Sequence, residues 1–234
     1  MNLVITGASR GLGKAIAEKF AGDGHGHTLL LSARNRSKLE ATANELRTTF
    51  PGVTIHTFDC DISDKAAVSS FAEWIMHTVD EVDILVNNAG SFVMGSTYNE
   101  ADGALEQMIA VNLYSAYHLT RALLPGMMER KQGHIFNMCS IASLKAYSNG
   151  GAYSISKFAL LGFSRNLREE MMPHNIKVTA VIPGAAYTDS WVGFVDPERI
   201  MEASDIAHLV YAAAHLSPKA CVEDIVVRPQ LGDL

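Results

Sequence analysis

Short apolar runs alternate with longer amphipathic segments along the whole chain, and this alternation restricts the possible folds more than any other feature. Residues 2–6 read as a strand, 11–22 as a helix, 27–32 as a second strand, 36–49 as a polar helix and 53–58 as a third strand. A helix opened by Asp64 runs to about 79, followed by a strand at 82–86. A long helical region spans 100–130, and its Pro125 predicts a bend or a restart. A strand at 133–138, a helix at 151–172, a strand at 176–182, a helix at 204–216 and a strand at 222–228 complete the pattern. Strands joined through helices pair in parallel. Parallel strands are covered on both faces and so are apolar throughout, as Leu29-Leu30-Leu31 is. With right-handed crossovers, the expected α/β architecture is a doubly wound parallel sheet of about seven strands with helices on both faces.

No Pro/Gly/Ser linker and no internal repeat divides the 234 residues, so residues 1–234 are expected to form a single domain. The least regular stretch, 184–203, is expected to be a lid over a binding site. A formal net charge of −6 without a basic stripe argues against nucleic acid as a partner. The cysteines Cys60, Cys139 and Cys221 form no CxxC, and the nine histidines form no HExxH and no paired ligand spacing. Neither a disulfide frame nor a catalytic metal is expected. No stretch has the length of a membrane span, no signal-peptide pattern is present, and the expected location is the cytoplasm.

The first strand runs into Thr6-Gly7-Ala8-Ser9-Arg10-Gly11-Leu12-Gly13. Glycines at a strand-to-helix turn let the backbone approach a pyrophosphate, and the helix N-terminus offers it free N–H groups. Gly7, Ser9, Arg10, Gly11, Leu12 and Gly13 are therefore candidate cofactor contacts. The second strand ends in Ser32-Ala33-Arg34, without the carboxylate that would hold a ribose 2′-hydroxyl. Arg10 and Arg34 suit a 2′-phosphate, which favours NADP(H) over NAD(H); the alternative is two solvated arginines. Asp61, followed by Ile62, could accept from an adenine amino group or serve in helix capping. Asn88, Ala89 and Gly90 lie at the end of the fourth strand, where small and amide residues admit a ligand.

Tyr153 and Lys157 are one helical turn apart and share a face. Ser140 ends the fifth strand, and Asn112 lies inside the long helical region. Reducing a ketone requires a hydride at carbon and a proton at oxygen. A phenol with a pKa of about 10 exchanges protons poorly near neutrality, and a lysine ammonium or an oxidised nicotinamide beside it would lower that value. Ser140 would hold the carbonyl oxygen, Lys157 would also bind the nicotinamide ribose, and Asn112 could hold a relay water.

On these residues, together with Pro183-Gly184 and Thr188, the sequence resembles the short-chain dehydrogenase/reductase family over essentially its whole length. The resemblance implies a single-domain Rossmann fold and a catalytic tetrad at Asn112, Ser140, Tyr153 and Lys157. It places Pro183, Gly184 and Thr188 beside the nicotinamide carboxamide, and implies NADP(H) through Arg10 and Arg34. The segment 183–191 and the ending 228–234 resemble sepiapterin-reductase-like members. In those members an acidic residue near the C-terminus anchors a nitrogen-rich substrate; Asp233 could do so here or be a carboxylate on a frayed terminus. Ser143, Tyr147 and Trp191 are further candidate substrate contacts, and Phe194 could join Trp191 in covering an apolar or aromatic ring.

The expected activity is NADP(H)-dependent reduction of a small carbonyl or dicarbonyl substrate to an alcohol. Reduction of a 3-oxoacyl thioester is the alternative within the same chemistry, and a non-catalytic NADP(H) sensor the alternative outside it. No membrane partner is expected. The two long helices, 100–130 and 151–172, are expected to lie on one side of the sheet and to support a homodimer or homotetramer.

Overall fold

The computed structural model describes all 234 residues, the side chain of Ser190 excepted. In chain order the elements are β1 (Asn2–Thr6), α1 (Gly11–Ala21), β2 (Thr28–Ala33), α2 (Arg36–Thr49), β3 (Thr54–Asp59), α3 (Lys65–Thr78) and β4 (Ile84–Asn87). They continue through α4 (Ala104–Ile109), α5 (Ser115–Arg130), β5 (Gly133–Met138), α6 (Gly151–Met171) and β6 (Ile176–Pro183). The short strands β7 (Ala186–Tyr187) and β8 (Met201–Glu202), the helix α7 (Ala203–Ala214) and β9 (Asp224–Val227) complete the chain.

Seven strands form one parallel sheet in the order β3-β2-β1-β4-β5-β6-β9. Alternate residues of each apolar run feed opposite layers, which is why the runs show no polar face. Leu3, Ile5, Leu29 and Leu31 pack with Phe20, Leu39 and Val210, against α1, α2 and α7. Val4, Leu30 and Leu85 pack with Phe71, Leu123 and Leu167, against α3, α5 and α6. The α5 and α6 helices therefore share one side of the sheet, as expected. Two helices open on side-chain caps: Asn35 accepts from the Lys38 N–H and Asp64 from the Ala66 N–H. Among the described residues, no helix is long and apolar enough to cross a membrane.

The structure corrects the sequence expectation in the 100–130 region. Helix α5 runs unbroken through Pro125, and the interruption lies earlier, in a π-helical turn at Ala110–Tyr114. Pro125 and Arg121 both face solvent, so the Arg121 carbonyl that loses its helical donor remains open to water. The 184–203 stretch is also more regular than its sequence suggests. It leaves and returns through the parallel pair Ala186↔Met201 and Tyr187↔Glu202, and holds two 3₁₀ turns between them.

Candidate active site

The strand order reverses between β1 and β4, and doubly wound sheets bind ligands at the carboxyl ends of strands flanking such a switch. Here the two ends are stitched together. The Thr6 hydroxyl accepts the N–H groups of Asn88 (3.0 Å) and Ala89 (2.9 Å). The Asn88 side-chain amide donates to the carbonyls of Thr6 (2.8 Å) and Gly7 (3.2 Å). Asn88 thus braces the glycine-rich turn rather than reaching outward. The turn is crowded on both sides: a Cβ on Gly13 would lie 2.5 Å from both Asn88 Nδ2 and the Gly7 carbonyl oxygen. Gly7 has φ +67°, and a Cβ there would sit 2.9 Å from Ala89 Cα. The Ser9 carbonyl is held by the Thr42 hydroxyl at 3.0 Å. Leu12 packs into the apolar layer beneath α1.

Helix α1 has no side-chain cap among the described residues; Arg10 stands at that position with its side chain directed elsewhere. Its first-turn N–H groups, including those of Leu12 and Gly13, are left for a ligand, as an anionic pyrophosphate requires. The crowded glycine cradle and the uncapped helix fit a dinucleotide.

At the nucleoside end, Arg34 is exposed, and its charge helps hold the Asp61 carboxyl below the usual range, after the hydrogen bonds from Ser63. One Asp61 oxygen accepts both the Ser63 N–H (3.0 Å) and hydroxyl (2.7 Å). The α3 cap is Asp64, so capping is not the role of Asp61. Ile62 is buried in the core, which leaves only its backbone to face a cofactor. Arg10 lies 3.6 Å from the Asp189 carboxylate, so the glycine-rich turn and the 184–203 segment are joined by an ion pair. The Thr188 methyl stands over Gly11, 3.3 Å from where a Cβ would lie.

Tyr153 and Lys157 project from one face of α6 toward the end of β5. The Lys157 ammonium is buried and donates to the Met138 carbonyl at 2.7 Å. It lies 5.9 Å from the centre of the Tyr153 ring. Burial pushes the Tyr153 phenol up to about 12, and a hydrogen bond from Ser140 pulls the other way. Burial also lowers Lys157 to about 8. Burial is the largest influence on the phenol here, and the ammonium is turned toward Met138.

Ser140 caps the 3₁₀ turn Ile141–Ser143, accepting from the Ala142 N–H at 3.2 Å, so its own proton is not used by the turn. Asn112 sits in the π-helical turn, fully buried. Its Oδ1 accepts the Ser91 N–H (2.8 Å), and its Nδ2 donates to the Ser91 carbonyl (3.0 Å) and the Ser156 hydroxyl (2.9 Å). Gly90 passes between these groups: a Cβ there would lie 3.3 Å from Asn112 Oδ1 and 3.6 Å from Lys157 Nζ. Pro183 ends β6 in the core. Gly184 donates to the Val227 carbonyl at 2.8 Å and packs against Pro229 and Asp233.

The four substrate candidates are placed differently. Tyr147 is half-exposed, and lies close enough to Tyr153 to raise its pKa further. Ser143 corrects the expectation: it is buried beneath Ser140 and its hydroxyl accepts the Ser140 N–H at 3.2 Å, so it supports the turn rather than lining a pocket. Asp233 pairs with Arg228, and Arg199 holds the carbonyls of Gly232 (3.0 Å) and Asp233 (3.1 Å), so the terminus is tied down beside Gly184. Trp191 lies in the 3₁₀ turn after Thr188, partly exposed, with Phe194 almost fully exposed beyond it.

Three neighbours escaped the sequence reading. Phe92 packs edge-on against Tyr153, with ring centres 4.8 Å apart. Ser156 steadies Asn112. Glu100 accepts the Ala152 N–H at 2.9 Å, one residue before Tyr153. No local motif marks any of them; an acidic residue in a polar loop was the only available signal.

A sheet with its switch point at a glycine cradle, and a Tyr–Lys helix beside it, defines a dinucleotide-dependent oxidoreductase. Comparison with known proteins agrees. The short chain dehydrogenase family profile matches residues 1–198. Sepiapterin reductase of Chlorobaculum tepidum is 35% identical over 240 residues, spanning 99% of this chain and 97% of that protein. A monensin polyketide synthase putative ketoacyl reductase of Streptomyces virginiae is 36% identical, over 79% of this chain and 70% of that protein. A metagenomic short-chain oxidoreductase solved in complex with NADP superposes with a TM-score of 0.86 at 34% identity, covering 99% of this chain and 97% of that one. The chain belongs to the short-chain dehydrogenase family, an oxidoreductase with a nicotinamide cofactor and a small-molecule substrate.

Proposed function

We propose that this protein uses NADPH to reduce a small carbonyl or dicarbonyl compound to an alcohol, with Tyr153 as the proton donor. The observation that carries the reading is the convergence of the Tyr153 phenol, the Ser140 hydroxyl and the Lys157 ammonium beside the Gly90 backbone. Bound NADPH supplies the hydride. The Ser140 proton, free of its own turn, orients the carbonyl oxygen toward the phenol. A phenol held up at about 12 is fully protonated at neutral pH, the form that reduction consumes. Lys157 binds the ribose and, with positive charge nearby, eases proton release from Tyr153. Asn112 fixes the Ser91 backbone next to Gly90 and keeps the relay side of Lys157 in place.

The first-turn N–H groups of α1 hold the pyrophosphate. Arg10 and Arg34 hold the 2′-phosphate and favour NADP(H) over NAD(H). Asp61 faces the adenine, Thr188 and Gly184 border the nicotinamide, and the 184–203 segment closes over substrate with Trp191 and Tyr147 against it. The likeness to sepiapterin reductase supports a heteroaromatic or dicarbonyl substrate. The ketoacyl reductase relative supports the alternative of a 3-oxoacyl thioester. Against that alternative, Arg199 is committed to the terminal carbonyls and is not available to a carrier. The reading includes a cytoplasmic homodimer or homotetramer, supported by Ile155 and Phe158 standing exposed on α6 and Tyr114 at the end of the π-helical turn.

The test is NADPH oxidation against sepiapterin, an aromatic diketone and an acetoacetyl thioester, with NADH in parallel. Turnover of either of the first two with NADPH supports the proposal. Turnover of the thioester alone moves the substrate class to the alternative. Tight NADPH binding with no turnover of any of them favours a sensor.

A further inference from the structure

At the amino-terminal edge of the sheet, opposite the strand ends that face Tyr153, three ligand-bearing side chains converge from distant parts of the chain. Asp23 and His27 lie in the turn between α1 and β2, and His215 caps the C-terminus of α7. One ligand atom from each lies within 4.8 Å of the other two. We propose that Asp23, His27 and His215 bind a divalent transition-metal ion, zinc in the first instance, which clamps the α1–β2 turn to α7.

The surroundings match what a metal site needs beyond its ligands. The His215 Nδ1–H donates to the Tyr211 carbonyl at 2.8 Å, so its Nε2 keeps a lone pair. The Asp23 Oδ1 accepts the His25 N–H at 2.8 Å, and the Tyr211 hydroxyl stands close enough to the carboxylate for each to shift the other's pKa. Metal-binding imidazoles and carboxylates are held in this way by carbonyls and hydroxyls behind them. Both histidine rings lean on the buried Phe20 ring, which gives the site an apolar wall.

Two imidazoles and a carboxylate make a borderline N/O set that suits zinc, with water or His25 as the fourth ligand. The His27 Nε2 now lies 2.7 Å from Asp23 Oδ2, sharing a proton. A tetrahedral ion would spread such a pair to roughly 3.3 Å and displace that proton. The turn can open by that amount. Gly24 and Gly26 sit at φ +79° and +66°, and no atom crowds Gly24. Two ammonium groups oppose the ion: the Met1 amino group, 3.3 Å from His27 Nδ1, and Lys19, over the Tyr211 ring. They weaken binding relative to a site with a second carboxylate. The linear spacing concealed the cluster because His215 lies at the far end of the chain.

The test uses the full chain, freed of metal by dialysis against a chelator. It is then titrated calorimetrically with zinc and spectroscopically with cobalt, whose visible bands report tetrahedral coordination. The expected result is one equivalent bound, lost in both Asp23→Asn and His215→Ala, and unchanged in His77→Ala on α3. Tyr211→Phe, which removes only the hydroxyl behind Asp23, should weaken binding roughly 10- to 100-fold. At a hundredfold excess over Kd, zinc should raise Tm by roughly 5–10 °C in the wild type but not in His215→Ala. His215 is exposed, so that variant folds and decides the matter even if Asp23→Asn does not. Equal zinc binding by the wild type and His215→Ala, or no binding by either, overturns the proposal. Carbonyl reductase activity is not the readout, so failure here is distinct from failure of the proposed function.

Discussion

Glu100 accepts the backbone N–H of Ala152 at 2.9 Å, so a carboxylate from the loop after β4 closes the N-terminus of the helix that carries Tyr153. Gly151 makes room for it: its φ is +35°, and a Cβ there would lie 2.4 Å from both Glu100 Oε2 and the Gly95 carbonyl oxygen. Ser96 and Asn149 add a second tie between the same two segments at 2.6 Å. The loop and the helix therefore move as one piece, and the Phe92 ring against Tyr153 moves with them.

Replacing Glu100 by alanine should cost about 1 kcal/mol of stability, the usual effect of losing a helix cap. It should also lower kcat by about tenfold, because small displacements of an acid–base group are costly. The Kd for NADPH should stay near that of the wild type. Glu100→Gln keeps an acceptor and should recover most of both losses. Denaturant melts and steady-state kinetics on the pair check this. A fall in NADPH affinity with kcat intact would show that the contact does not position Tyr153.

Tyr153→Phe removes the exchanging proton and leaves the glycine cradle untouched. Turnover should drop by roughly 10²- to 10⁴-fold. NADPH binding, followed by fluorescence, should be retained. Near-normal turnover would remove Tyr153 from the mechanism.

Burial lowers Lys157 from 10.5 to about 8 in the folded protein. Over that interval the unfolded chain binds the extra proton, so this residue's contribution to stability rises as pH increases from about 8 to 10.5. The Tyr153 shift, upward to about 12, acts in the opposite direction and only above pH 10. In Lys157→Met the first effect disappears. The stability of the wild type minus that of the variant should therefore grow between pH 7 and pH 10, by on the order of 3 kcal/mol. Urea melts at pH 7, 8.5 and 10 measure it. A difference independent of pH would mean that the lysine is not desolvated as its surroundings imply.

Arg10 is shared between Asp189 and, in the proposed complex, the 2′-phosphate. Both partners in the present pair are largely exposed, so the pair itself contributes at most about 1 kcal/mol. Asp189→Asn should therefore tighten NADPH binding by up to about fivefold. Arg10→Ser should lower kcat/KM with NADPH by roughly 10- to 100-fold while leaving NADH unchanged. Parallel assays with both cofactors test the assignment. Equal losses with NADPH and NADH would place Arg10 in general phosphate binding instead.

The sheet was legible because apolar runs such as Leu29-Leu30-Leu31 have a single physical solution once both faces are covered. The glycine cradle and the Tyr153–Lys157 pair were legible because each depends on local spacing. What the sequence misplaced depends on solvent or on distant partners. Pro125 looked like a bend or a restart, but the Arg121 carbonyl that it deprives of a donor faces water. Ser143 looked like a pocket residue because nothing local shows that its hydroxyl turns back to the Ser140 N–H. The pairing of Arg10 with Asp189, and of Glu100 with Ala152, requires loops whose paths are set only by the assembled fold.

The π-helical turn at Ala110–Tyr114 amounts to one residue more than an α-helix would use to cover the same distance. The bulge absorbs that residue within one turn, so Met108 on one side and Leu119, Leu123 and Met127 on the other keep the faces that a regular helix one residue shorter would give them. A single deletion there should therefore leave both flanks packed and act where the bulge itself stands. What it would remove is the inward reach of Asn112 to the Ser91 backbone and the Ser156 hydroxyl. The extra residue is thus a local detour of the chain, spent on one amide beside the active site.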